Sequence, residues 1–141
     1  MKRVVDSSIG VKWFIPELDS AKALQLLDDF QNSLAELVAP DIFLIEAVHA
    51  ITRAERQKRI TPIQGAQAVI DLLNQQPILT PYISLLPRAY ALSSHARIGV
   101  YDCLYVALAQ REGCEFITAD DKLIRNLQPQ FPFIVALSSL P

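Results

Sequence analysis

The sequence predicts an α/β fold with a mainly parallel sheet that is covered by helices on both faces. Short apolar runs alternate with helical segments along the chain, which is the pattern of repeated strand-helix-strand units. Of the 141 residues, 51% are hydrophobic and 20% are charged, as expected for a sheet buried on both sides. Only four residues are glycine, so we expect short loops. A chain of this length is expected to form one domain, residues 1–141.

The predicted strands are short apolar runs, bounded by charged residues or by turn-forming residues. They cover residues 3–5, 37–39, 77–83, 114–118 and 133–137. The predicted helices have apolar residues at helical spacing or form continuous apolar stretches. They cover residues 9–15, 20–30, 41–57, 62–74, 84–96, 101–112 and 121–127. Because strands and helices alternate, we expect right-handed crossovers between parallel strands.

Two helix boundaries have strong local signals. Thr61 and Gln64 flank Pro62 in the pattern of a capping box with proline at the first helical position, which predicts a helix start. Gly113 is the expected C-cap of the helix that begins near Tyr101. From residue 101 to 109 that helix is apolar or aromatic except at Asp102, so we expect it to be covered on all sides.

Four acidic residues occupy positions that this fold would bring together. Asp6 follows the first strand, and Asp120 follows the strand at 114–118. Asp102 lies in the first turn of the apolar helix, and Glu46 interrupts the apolar helix before it. Open α/β sheets bind ligands at the carboxyl ends of their strands. Carboxylates without cysteine or histidine ligands favour Mg²⁺ or Mn²⁺ over zinc, and these metals suit phosphodiester hydrolysis.

Each acid also has a structural interpretation. Asp6 and Asp120 suit helix N-caps, and Asp102 suits a residue that complements a helix dipole. Glu46 could share a solvated stripe with His49 and with the arginine at position 53. The apolar helix around Asp102 favours a functional role there, whereas the pattern leaves both interpretations open for the others.

Four segments extend this pattern in a fixed order. They are Val4-Val5-Asp6-Ser7-Ser8 followed by Lys12-Trp13 and Pro16-Glu17, Ala39-Pro40-Asp41 followed by Leu44-Ile45-Glu46, Val100-Tyr101-Asp102 continuing through Tyr105 to Ala109, and Ile117-Thr118-Ala119-Asp120 with Lys122-Leu123. Taken in series, the segments resemble the PIN-domain ribonucleases, and among them the VapC toxins of toxin–antitoxin pairs. The resemblance extends over almost the whole chain.

The resemblance implies a three-layer α/β/α fold and a Mg²⁺- or Mn²⁺-dependent endoribonuclease. It assigns catalysis and metal binding to Asp6, Glu46, Asp102 and Asp120, and accessory roles to Ser8, Thr118 and Asp121. It also implies an RNA substrate, a homodimer and a small antitoxin protein whose C-terminal segment enters the acidic cleft. His49 departs from the asparagine that many relatives have at this position.

The basic run and the tryptophan each have two interpretations. Arg53, Arg56, Lys58 and Arg59 form the densest group of cations, which suits either a solvated helix end or a patch that contacts RNA. Trp13 suits a core or dimer anchor, or a platform on which a base stacks.

Charge and cysteine content restrict the function class only weakly. The net charge of −2 gives no general attraction to nucleic acid, so an RNA substrate needs a local basic patch or metal ions. Cys103 and Cys114 have no CxxC partner, and we expect free thiols in a reducing compartment. Because no uninterrupted apolar stretch is long enough to cross a bilayer, we expect a cytoplasmic protein without membrane contact.

Two alternative functions remain at this point. A receiver-like regulatory domain also combines strand-end carboxylates with Mg²⁺, but it requires a lysine after the last strand, and residues 133–141 contain none. A PIN-like module without metal would bind RNA or protein and cleave nothing. The presence of all four acids argues against that loss of catalysis.

Overall fold

In a computed structural model that describes residues 1–141, five strands form one parallel sheet. The strands are β1 (Lys2–Val5), β2 (Glu36–Pro40), β3 (Ile78–Thr80), β4 (Glu115–Thr118) and β5 (Ile134–Ala136). They are arranged in the order β3-β2-β1-β4-β5, and every neighbouring pair is parallel. The carboxyl ends of β1 and β4 therefore lie side by side, next to the point at which the strand order reverses.

Seven helices connect and cover the sheet. They are α1 (Ser7–Phe14), α2 (Ser20–Gln31), α3 (Ile42–Arg56), α4 (Pro62–Asn74), α5 (Leu86–Ala96), α6 (Val100–Glu112) and α7 (Asp121–Leu127). Helix α1 contacts α2, α3 and α4, whereas α6 contacts α5 and the three central strands. Because right-handed crossovers change face when the strand order reverses, these two groups cover opposite faces. The predicted α/β fold with a parallel central sheet is confirmed.

Close packing fixes α1 against α3. A Cβ atom at Gly10 would lie 2.5 Å from Cζ of Phe43, so only glycine allows this approach. Trp13 is buried beside the same ring, and its Nε1 donates to the carbonyl oxygen of Ala23 at 2.9 Å. The core interpretation of Trp13 is therefore confirmed, and no face of the indole is free for a base. This packing positions α3, which carries Glu46.

The local helix signals are confirmed. Thr61 Oγ1 accepts from the Gln64 N–H at 3.2 Å, and Gln64 Oε1 accepts from the Thr61 N–H at 2.8 Å. Gly113 ends α6 in the left-handed region, with φ at 63°. Both cysteines are free.

The predictions are wrong about the length of one strand and about the buried part of one helix. The strand expected at 77–83 is reduced to Ile78–Thr80, because Pro81 has no N–H and the next N–H, of Tyr82, donates to the Asp41 side chain at 3.0 Å. A short 3-10 helix follows, so α5 begins at Leu86. Helix α6 is covered on all sides only from residue 103 to 109, since Tyr101 is 62% exposed.

No helix in this structure combines the length and the apolar character needed to cross a membrane.

Candidate functional site

Asp6 is held at the end of β1 by donors from two elements. Its side chain is buried, and Oδ1 accepts from both the hydroxyl and the backbone N–H of Ser8. The hydroxyl of Thr118, at the end of β4, donates to Oδ2. Asp6 is thus the N-cap of α1 and also a component of the predicted site, so its structural and functional interpretations are compatible.

The same two hydroxyl groups join the turn after β4 to Asp6. Ser8 Oγ accepts from the Ala119 N–H at 2.9 Å, and Thr118 Oγ1 accepts from the Asp120 N–H at 3.1 Å. Because each hydroxyl accepts from a backbone N–H, its own proton is free to point at Asp6. Asp120 Oδ1 in turn accepts from two N–H groups at the start of α7, as an N-cap does.

Glu46 is directed inward by a buried tyrosine. Tyr105 Oη, on α6, donates to Glu46 Oε1 at 2.6 Å. The tyrosine ring is 1% exposed and stacks on Phe116 of β4, with the ring centroids 5.6 Å apart. Glu46 is half-buried and hydrogen-bonded to Tyr105, whereas His49 and Arg53, on the same side of α3, are exposed.

The charge of Asp102 interacts with the charges of the other three acids. Its charge raises the pKa of Asp6 and of Glu46, and the charge of Asp120 raises the pKa of Asp102. The carboxylate of Asp102 is half-buried and accepts no hydrogen bond from the protein. The structure therefore brings Asp102 within electrostatic reach of each of the other three predicted acids, and Asp6 within reach of Asp120.

Burial is the main cause of the raised pKa values in this cluster. It raises the pKa of Asp6 to about 7, although the hydroxyls of Ser8 and Thr118 oppose the rise. Burial likewise raises the pKa of Glu46 and of Asp102, and Lys122 opposes the rise at Asp102. Four close carboxylates without a cation are unfavourable when ionised, which is the electrostatic condition that suits a bound cation.

The donor set fits a hard divalent cation by its chemistry. Glu46 Oε2, Asp120 Oδ2 and both oxygens of Asp102 accept no hydrogen bond, so they are free to act as ligands. The side chains do not close around a single point in this structure, since no three acidic, histidine or cysteine residues form a metal-ligand group. Binding would therefore require rotation of these side chains or bridging water molecules.

Asp121 and His49 lie outside the cluster. Asp121 is exposed in the first turn of α7, and with Lys12 and Thr118 it lines a cavity of about 260 Å³. His49 is exposed on α3, and its Nε2 lies 3.2 Å from Nη2 of Arg53. A role for Tyr105 was not predicted from the sequence, although its position three residues after Asp102 places both on one side of α6.

The comparison with protein families identifies the group to which the chain belongs. The model of the PIN domain matches residues 3–127. The chain belongs to the PIN domain family. The resemblance inferred from the four sequence segments is therefore confirmed, and the receiver-like interpretation is not supported.

This PIN domain is similar to curated proteins along nearly its whole length. Ribonuclease VapC3 of Pyrobaculum aerophilum is 28% identical over 137 residues, which cover 96% of this chain and 98% of that protein. Ribonuclease VapC9 of Mycobacterium tuberculosis is 26% identical over 132 residues, covering 94% of this chain and 96% of that protein. The crystal structure of PAE2754 from Pyrobaculum aerophilum matches with a TM-score of 0.66 at 15% identity, covers 99% of this chain and 94% of that one, and so supports the fold.

Proposed function

We propose that this PIN domain is a Mg²⁺- or Mn²⁺-dependent endoribonuclease and the toxin of a cytoplasmic toxin–antitoxin pair. The observation that supports the proposal is the coupling of Asp102, on α6, to the acid after β1, the acid on α3 and the acid before α7. The similarity to two proteins named Ribonuclease VapC supports hydrolysis of RNA as the reaction.

The side chains of the cluster would have different tasks. Glu46, Asp102 and Asp120 offer free carboxylate oxygens to a cation. When bound, Mg²⁺ or Mn²⁺ neutralises charge that develops on the phosphodiester and lowers the pKa of an attacking water. Asp6 contributes the fourth carboxylate of the proposed cation site, and the hydroxyls of Ser8 and Thr118 hold it beside the backbone of Asp120.

A cleavage assay on purified protein tests the proposed activity. We expect the wild type to cut total RNA with Mn²⁺ and to lose activity in chelator. Asp102→Asn should cleave at least about 100-fold more slowly, since loss of a group that acts in the transition state typically has effects of this size. The matched control is Asp28→Asn, an exposed acid on α2, which should cleave like the wild type. Wild-type cleavage by Asp102→Asn would contradict the assigned site.

The toxin role requires a protein that neutralises the site. We propose a small antitoxin whose C-terminal segment places an arginine among the four acids, because a guanidinium pairs with carboxylates that otherwise need a cation. Expression of this chain alone should slow growth, and co-expression of a small open reading frame next to its gene should restore it. Normal growth at strong expression would contradict the toxin role and leave the ribonuclease proposal to the cleavage assay.

We also propose a homodimer. The 3-10 helix at Tyr82–Leu85 packs with α5 and α6, and these three elements expose Ile83, Tyr90 and Tyr101 at 69%, 70% and 62%. Apolar and aromatic side chains of this kind suit an interface with a second copy. Sedimentation should show a dimer for the wild type and a monomer for Tyr90→Arg. A monomeric wild type would contradict this assembly.

A further inference from the structure

A row of polar side chains follows Glu46 along one side of α3. At 3.6 residues per turn, Glu46, His49, Arg53 and Arg56 lie within an arc of about 80° around the helix axis. Glu46 is half-buried, while the three residues after it are exposed. The row therefore leads from the acidic cluster outward along the surface of α3.

The basic run at the end of α3 contains both paired and unpaired cations. Arg59 Nη1 lies 2.7 Å from a carboxylate oxygen of Glu17, and Lys12 pairs with the same carboxylate at 3.5 Å. Arg53, Arg56 and the lysine at position 58 make no ion pair in the structure. In a protein with a net charge of −2, these exposed cations are available to an external anion.

His49 fixes the guanidinium of Arg53. Nη2 of Arg53 lies 3.2 Å from Nε2 of His49. Arginine is only a donor, so a hydrogen bond at this contact uses the tautomer in which Nε2 accepts and Nδ1 has the proton. The contact uses one of the five N–H groups of the guanidinium. The other N–H groups keep the fork geometry that matches a phosphate.

The spacing along α3 suits the backbone of a single-stranded nucleic acid. Arg53 follows Glu46 by seven residues, about 10.5 Å along the helix axis at 1.5 Å per residue. A stacked strand has one phosphate about every 3.4 Å along its axis. A strand with a phosphate at the acids would therefore place another, about three nucleotides away, beside Arg53. Arg56, one turn further, would face the next phosphates.

We infer that Arg53, oriented by His49, and Arg56 bind backbone phosphates of single-stranded RNA about three to five nucleotides from the bond cleaved at the acidic cluster. This inference rests on the proposed ribonuclease function. Phosphate contacts of this kind fix the register of a strand without reading its bases. They also offset the repulsion between the RNA backbone and the four acids.

The binding test uses the full chain and a 5′-labelled single-stranded RNA of 20 nucleotides, with fluorescence anisotropy in chelator at several salt concentrations. Arg53→Gln should weaken binding about tenfold and make the slope of log K against log salt shallower by about 0.7. Arg53→Lys retains the charge without the fork and should have an intermediate affinity. The control is Arg88→Gln, an exposed arginine on α5, which covers the face of the sheet opposite to α3.

A kinetic test distinguishes this site from the acidic cluster. On RNA that contains a mapped cleavage site, Arg53→Gln should raise KM about tenfold and leave kcat unchanged, since the contact is made equally before and during the reaction. A substrate trimmed to two nucleotides on each side of the cut should be cleaved equally by both proteins, because it is too short to reach Arg53.

The outcomes separate this inference from the proposed function. Equal RNA binding by Arg53→Gln and wild type, or an equal loss in Arg88→Gln, would overturn the inference and leave the ribonuclease proposal intact. Absence of wild-type binding in chelator would also overturn it. If the wild type bound RNA through Arg53 but did not cleave it with Mn²⁺, the phosphate site would be retained and the proposed reaction would be wrong.

Discussion

The two halves of the acidic cluster are supported in different ways. In the strand-end half, formed by Asp6, Ser8, Thr118 and Asp120, every side chain takes part in hydrogen bonds with hydroxyl or backbone N–H groups. The helix half is formed by Glu46, Tyr105 and Asp102. Its one side-chain hydrogen bond is the one that Tyr105 donates to Glu46.

Some of these acids therefore have a structural role besides the proposed one. Removing Asp6 leaves two hydroxyls and the end of α1 without their acceptor. Removing Asp102 leaves no protein donor unsatisfied and relieves repulsion from its neighbours. The strand-end half therefore stabilises the fold. The helix half adds negative charge that solvent or a bound cation must neutralise.

The largest expected effect concerns the charge of Asp6 in the metal-free protein. Its pKa is raised from 3.8 to about 7, so its ionisation disfavours the folded state. The stability present below pH 4 is lost as the pH rises through 7, on the order of 4 kcal/mol at about 1.36 kcal/mol per pKa unit. Asp6→Asn retains the N-cap and removes this dependence. Urea unfolding at several pH values gives the free energy of unfolding, which should depend less on pH between 4 and 7 in Asp6→Asn than in the wild type. The same pH dependence in both proteins would contradict this prediction.

The next effect compares alanine variants of the two halves at pH 4.5, where Asp6 is mostly protonated. Asp6→Ala should lower the free energy of unfolding by about 2 to 4 kcal/mol, through the lost cap and the unpaired hydroxyls. Asp102→Ala should change it by less than about 1 kcal/mol. Urea unfolding in chelator measures both values. Equal losses would mean that Asp102 has a structural partner in solution.

A smaller effect concerns the one hydrogen bond of the helix half. Tyr105→Phe retains the stacked ring and removes the donor to Glu46, so the fold should lose about 1.5 kcal/mol, the value for a hydrogen bond to a charged group. The control is Tyr82→Phe, because the hydroxyl of Tyr82, on the 3-10 helix, has no hydrogen-bond partner. Thermal melts in chelator give both values. If the two variants melted alike, Glu46 would not depend on Tyr105.

Much of the strand-end half could be predicted from the sequence, because its N-caps depend on residues that are close together in the chain. Asp6 and Asp120 each precede a helix, and N-capping is determined within three residues. The capping box at Thr61 and the glycine at the end of α6 were predictable for the same reason. The order of the acids along strands and helices also predicted that they share one edge of the sheet.

The remaining features depend on contacts between distant parts of the chain. The hydrogen bond from Tyr105 to Glu46 spans 59 positions, and the one from Thr118 to Asp6 spans 112. No local pattern specifies such pairs, so the role of Tyr105 was not predicted. The pairing of the basic run could not be predicted for the same reason. Only the structure shows that Arg59 is paired with Glu17 and that Arg53 makes no ion pair.

The central claim is that the four acids form one cation site, and the most direct test is the stability of the metal-free and Mn²⁺-loaded protein. Thermal melts of wild type and Asp102→Asn in chelator and in Mn²⁺ give this measurement. We expect Mn²⁺ at a hundredfold excess over its dissociation constant to stabilise the wild type by about 2.7 kcal/mol. Asp102→Asn should respond much less and should melt at the same or a higher temperature in chelator. A wild type that does not respond to Mn²⁺, or an Asp102→Asn variant that is less stable in chelator, would contradict the account.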